Sequence, residues 1–109
     1  MSGVRIQAAA LVRLEDIYRY SAGRWGEAQA ERYIRGLFAR FEDIAARRLP
    51  WRPVPAEFGV AGFVTRYERH LIYWRELADG EVGIVTLLHE RMHQIARFRD
   101  DFAPEDGRG

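Results

Sequence analysis

Residues 70–88 read HLIYWRELADGEVGIVTLL, and the fold turns on how this stretch is read. His70–Leu77 is rich in β-branched and aromatic residues, which suit a pleated, half-buried surface. Asp79-Gly80 then gives a strong hairpin signal, because a tight turn between strands needs residues that tolerate positive φ. Val82–Leu88 is a continuous apolar run rich in β-branched residues, the pattern of a central strand covered on both faces. Tyr73 and Trp74 are neighbours in an extended chain and point to opposite faces, so at least one of them belongs in the core. Upstream, FVTRYE (63–68) alternates loosely and predicts a further strand.

Working toward the N-terminus, LPWRPVPAEFGVAG (49–62) holds three prolines and two glycines in fourteen residues, so it reads as a loop crossing the molecule. Trp51 and Phe58 are the side chains expected to tack that loop to the core. Before it, EAQAERYIRGLFARFEDIAARR (27–48) predicts a helix, with Ala30, Ile34, Leu37, Phe41 and Ile44 on one stripe. Acids lead this helix and Arg47-Arg48 close it, as the helix dipole favours. A first helix from Ala8 carries Leu11, Leu14, Ile17 or Tyr18, and Ser21 at helical spacing, with Gly23 expected to end it. So short a link predicts an antiparallel helical hairpin. GVRIQ (3–7) is expected to be a short strand. Beyond residue 90, MHQIARFRDDF predicts a short last helix with Met92, Ile95, Ala96 and Phe102 on one side. A single domain over residues 1–102 is expected, with 103–109 as a disordered acidic tail.

Composition narrows the chemistry. The chain has 109 residues, no cysteine and no apolar run long enough to span a membrane. Disulfides, thiolate metal sites and cysteine nucleophiles are therefore excluded. The opening MSGVRIQ lacks the apolar core of a secretory signal, so a cytoplasmic location is expected. All 17 basic residues are arginine, which rules out a Schiff-base lysine, a lysine general base and a P-loop lysine. DDFAPEDGRG (100–109) sets four acids against one arginine, leaving residues 1–99 with 16 arginines against 12 acids. A modestly basic body of this kind suits an acidic protein partner or a nucleic-acid-linked target.

His89-Glu90-Arg91-Met92-His93 spells H-E-x-x-H, the zinc-protease signature. That chemistry needs both histidines on one helix, a third ligand and a cleft. Here His89 follows GIVTLL directly and is expected at a strand end, no histidine follows His93, and Arg91 would oppose a dication. The zinc hydrolase is the remotest reading; no metal and no cofactor are expected.

The elements in order, with LEDIYRYSAGRWGEAQAERYIRGLFARFEDIA (14–45), RYERHLIYWREL (66–77) and GIVTLLHERM (83–92), resemble the ParE branch of the RelE/ParE toxin superfamily over about residues 4–100. In that setting HERMH resembles the L-H-x-R-M ending of the last strand. The resemblance implies an α+β fold, with an N-terminal strand and helical hairpin packed on an antiparallel sheet and a short C-terminal helix. It also implies a type II toxin that inhibits DNA gyrase and is neutralised by a ParD-like antitoxin in a hetero-oligomer, reaching operator DNA only through that antitoxin. Arg69, Arg75, Arg91, Met92 and Phe98 are the candidate partner-binding residues. The rival branch, RelE-like cleavage of mRNA on the ribosome, needs acid/base groups and phosphate-binding cations. His89, Arg91 and His93 would supply them; in the gyrase reading no residue is catalytic.

Overall fold

The structure is a computed structural model, and it describes residues 3–59 and 61–91. The expected last helix and acidic tail, with Met92, His93 and Phe98, lie outside the described residues. Among those described, the chain runs β1 (Val4–Ile6), α1 (Ala8–Trp25), α2 (Glu27–Ala45), β2 (Arg52–Pro53), a 3₁₀ turn (Ala56–Phe58), β3 (Phe63–Tyr67), β4 (His70–Glu76) and β5 (Val82–His89). The five strands form one sheet in the order β1-β5-β4-β3-β2. The fold is α+β, as the sequence implies. The ladder from β2 to β5 is antiparallel, whereas β1 joins β5 in parallel, so the sheet is mixed.

The hairpin of helices turns on one glycine. Helix α1 runs through Gly23 to Trp25, and Gly26, at φ 97°, ends α1 and opens α2. Its N–H bonds to Ala22 O and its carbonyl accepts from Ala30. Gly26 thus takes the role expected of Gly23, because only there does the chain need a positive φ. On α1 the buried positions are Ala10, Leu14, Ile17 and Ser21, while Leu11 is 52% exposed. The true stripe is rotated slightly from the expected one, with small Ala10 and Ser21 allowing close approach. On α2, Ala30, Leu37, Phe41 and Ile44 are buried as expected. That helix ends at Ala45, because Arg47 adopts φ 60°. The turned-out Arg47 guanidinium lies 3.6 Å from the Trp51 ring centroid and pairs with Glu76 at 3.5 Å.

Both faces of the sheet are covered. Leu14, Ile17, Leu37, Phe41 and Ile44 from the helices meet Ile72, Trp74, Val82, Ile84 and Leu87. The other face packs Tyr73, Val85 and Leu88 against Val54 and Phe58 of the loop. Tyr73 and Trp74 are therefore both core, one per face. Trp51 and Phe58 anchor the loop: Trp51 Nε1 donates to Ile44 O and its ring packs on Phe63 and Trp74.

One irregularity positions the site. The β4–β5 register passes from Trp74↔Ile84 to Tyr73↔Thr86, so Val85 is an extra residue in β5. Such a bulge resets the alternation of faces. Ile84 and Leu87, three apart, share the helix-covered face, and the same reset puts His89 there opposite His70.

Candidate functional site: a cleft between the helical hairpin and the open end of the sheet

Opposite the Asp79–Gly80 turn, the sheet ends in the β3–β4 turn and the last residues of β5. This end and the tip of the helical hairpin enclose a cleft of about 820 Å3. Ile17, Tyr20, Trp25, Arg32 and Tyr33 form the helical wall. Tyr67, Arg69, His70, Leu87, His89 and Arg91 form the sheet side. The β3–β4 turn has only two residues, Glu68 and Arg69, and Glu68 sits at φ 53°. A left-handed conformation costs a residue with a Cβ about 1–2 kcal/mol, so this rim is strained in a way a glycine would not be.

Tyr67 fits because Gly36 faces it. A Cβ added at Gly36 would stand 1.9 Å from the Tyr67 hydroxyl oxygen. A glycine inside a helix is unfavourable, and here the close approach of the tyrosine explains it. Arg40 backs Tyr67, 5.2 Å from its ring centroid, and donates to Arg66 O.

On the cleft floor, His70 and His89 meet edge to face, with ring centroids 5.3 Å apart. The Tyr33 hydroxyl lies 2.7 Å from His70 Nδ1. Burial pushes His70 down to about 4, neighbouring His89 adding to the effect and Glu90 opposing it. Burial likewise pushes Tyr33 up to about 12. At neutral pH a phenol and a neutral imidazole therefore share one hydrogen bond, whose direction follows the imidazole tautomer. His89 Nδ1 accepts the backbone N–H of Arg91 at 3.0 Å, so the ring proton lies on Nε2.

Glu90 is clamped. Arg66 donates to Oε1 at 2.6 Å, Arg69 to Oε2 at 3.2 Å, and the Glu90 N–H bonds to Arg69 O. The Arg66 hydrogen bond holds its carboxyl below the usual carboxylate range. His89 ends a strand, Glu90 and Arg91 lie in a turn, and the would-be general base is bound by two arginines. Among the described residues no group of three histidine, aspartate or glutamate side chains can hold a metal.

Of the residues singled out from sequence, Arg69, His89 and Arg91 come together at the cleft. Arg75 does not join them. It pairs with Gly83 near the turn end of β4, six residues or about 20 Å from Arg69. Nor does Arg69 mark an outer edge of the sheet, since β4 lies between β3 and β5. Sequence reasoning missed the helical wall. The available signal was the pair of large aromatics off the core stripe: Tyr20 and Trp25 are 60% and 59% exposed. Arg24 stands over both rings, 5.9 Å and 5.6 Å from their centroids.

A hairpin of helices packed on a sheet is shared with a solved structure. A chain of the chromosomal ParDE TA system from P. aeruginosa superposes with a TM-score of 0.61 at 18% identity, covering 79% of this chain and 92% of that one. That likeness defines the architecture. Sequence comparison then defines the family. The profile described as "ParE toxin of type II toxin-antitoxin system, parDE" matches residues 4–94. Toxin ParE of Escherichia coli is 32% identical over 100 residues, 92% of this chain and 96% of its own length. Toxin ParE1 of Caulobacter vibrioides is 35% identical over 101 residues, 88% of this chain and 97% of its own. The chain belongs to the ParE family of toxins from type II toxin–antitoxin systems.

Proposed function

We propose that this chain inhibits DNA gyrase and is held inactive by a ParD-like antitoxin in a hetero-oligomer. The observation that carries the reading is ParE-family membership over residues 4–94, with toxins of that name 32–35% identical over nearly their whole length. No helix among the described residues is long and apolar enough to cross a membrane, which fits action in the cytoplasm. The cleft end of the sheet supplies the contact surface: Arg69 and Arg91 offer charge-assisted hydrogen bonds, and Met92 and Phe98 follow in the chain. Arg75 makes any contact from a separate place on the opposite end. Mutual engagement of Glu90 with Arg66 and Arg69, and of Tyr33 with His70, favours a binding surface over acid/base chemistry.

The test is supercoiling of relaxed plasmid by purified gyrase, with trapped cleavage complexes scored in parallel. Inhibition with cleavage, reversed by the cognate antitoxin, is the expected result. A folded, toxic protein without effect on gyrase would transfer the assignment to ribosome-dependent mRNA cleavage, with His89, Arg91 and His93 as the residues to mutate.

A further inference from the structure

We infer that the cleft is a nucleotide-binding site, in which a base stacks at the Tyr20–Trp25 rim and its phosphate meets Arg32 and Arg91. The inference goes beyond gyrase inhibition and stands or falls independently of it.

Size comes first. A cleft of about 820 Å3 lies in the range of small-molecule sites and is ample for a base, a sugar and a phosphate. The rim supplies a stacking surface. Tyr20 and Trp25 stand edge to face, 6.0 Å between centroids, and both are more than half exposed, whereas the other large aromatics among the described residues are mostly packed. Every base has a π-face, so exposed aromatics beside cations suit nucleotides without requiring one particular base. Arg24, over the two rings but outside the cleft lining, adds cationic charge beside the rim.

Charge points the same way. Arg13, Arg32, Arg69 and Arg91 line the cleft with two acids, Asp16 and Glu68, Arg69 also pairing with Glu90. Asp16 already pairs with Arg19 at 3.3 Å, so it offsets little of that excess. Among the described residues, neither Arg32 nor Arg91 lies within ion-pair distance of a carboxylate. On the floor, His89 Nδ1 accepts the Arg91 N–H, which leaves the ring proton on Nε2 as a donor rather than an acceptor. Arginines, an imidazole N–H and aromatic faces with few acceptors select a planar, anionic ligand. An acidic peptide shares the charge but gains less from paired exposed rings, so it serves as the competing outcome.

The same chemistry arises from a free nucleotide or from one residue of a single strand. Trp25 makes the test direct, because Trp74 is buried and Trp51 packs against the core, leaving Trp25 the most exposed indole. The full-length chain is titrated with adenosine monophosphate, a ten-nucleotide oligothymidylate and poly-L-glutamate while tryptophan emission is followed. Saturable quenching by either nucleotide probe is expected, weakened about fivefold or more by Arg32→Gln or Arg91→Gln, both at exposed positions. Trp25→Leu, read by anisotropy of a labelled oligonucleotide, is expected to lose at least as much. Oligonucleotide binding far tighter than monophosphate binding identifies a strand as the source; similar affinities identify the free nucleotide. Absence of saturable quenching by both probes overturns the inference. So does binding unchanged in all three variants, or poly-L-glutamate binding as tightly as the oligonucleotide.

Discussion

The two ends of the β4–β5 hairpin use charge in opposite ways. At the turn end, Arg5 reaches from β1 to Asp79 at 2.7 Å and Glu81 at 2.8 Å, and Arg47 pairs with Glu76. Arg5 and Arg47 there each have an acid beside them, and the pairs tie β1 and the helical hairpin to the turn. At the open end, Arg66 and Arg69 share the single carboxylate of Glu90, while Arg91 and Arg32 add charge around the cleft. Among the described residues, Arg5 and Arg47 at the turn end are paired within the fold, whereas the open end keeps an excess of arginine. Net charge alone conceals this, since a formal +1 for the chain averages the two ends together.

The largest perturbation should strike both ends at once. Trp74 is fully buried where the ladder crosses the core, stacked with Phe63 and edge-on to Trp51. Trp74→Ala should cost about 3–5 kcal/mol of unfolding free energy in a denaturant titration, with no end spared. Gly36→Ala separates the ends. It brings a methyl against Tyr67 at the open end only, and the clash should outweigh alanine's better helix propensity, leaving a net loss of about 1–2 kcal/mol. Tyr67→Ala in that background should recover helix stability, which the same titration would read as non-additivity.

Acid provides a smaller, graded probe of the open end. The His70 pKa is depressed from 6.5 to about 4 in the folded chain, so the unfolded chain takes up the proton first. Its stabilising contribution is complete above pH 6.5 and is lost as pH falls toward 4. After discounting for solvent screening at a partly open site, about 1–2 kcal/mol is expected, read as the pH dependence that disappears in His70→Gln. The turn end should respond least. Arg5→Ala removes two exposed ion pairs and should cost under about 1 kcal/mol, with the difference shrinking in high salt.

Much of this architecture is legible in the sequence, for reasons tied to particular residues. Asp79-Gly80 between two β-branched runs fixes the hairpin, and Ala30, Leu37, Phe41 and Ile44 fix the buried stripe of α2. The parallel pairing of β1 is not legible, because three residues carry no periodicity from which to read a direction. Nor is the bulge at Val85. An unbroken apolar run such as VGIVTLL hides its own change of face, so the meeting of His89 with His70 under Tyr33 emerges only in three dimensions. The helical wall of the cleft escaped for a related reason. Tyr20, Trp25 and Arg32 lie off the core stripes, where a helix reads as solvent-exposed, and only the packing of the hairpin tip against the strand ends makes them part of a site.

The contrast between the ends is tested most directly by gyrase inhibition measured in parallel for the wild-type chain, Arg5→Ala and Arg91→Ala, each first verified as folded. Wild-type and Arg5→Ala proteins should inhibit supercoiling and trap cleavage complexes at similar concentrations, and Arg91→Ala should need about tenfold more protein. Equal inhibition by all three would contradict the assignment of the open end, and no inhibition by the folded wild-type chain would contradict the gyrase target itself.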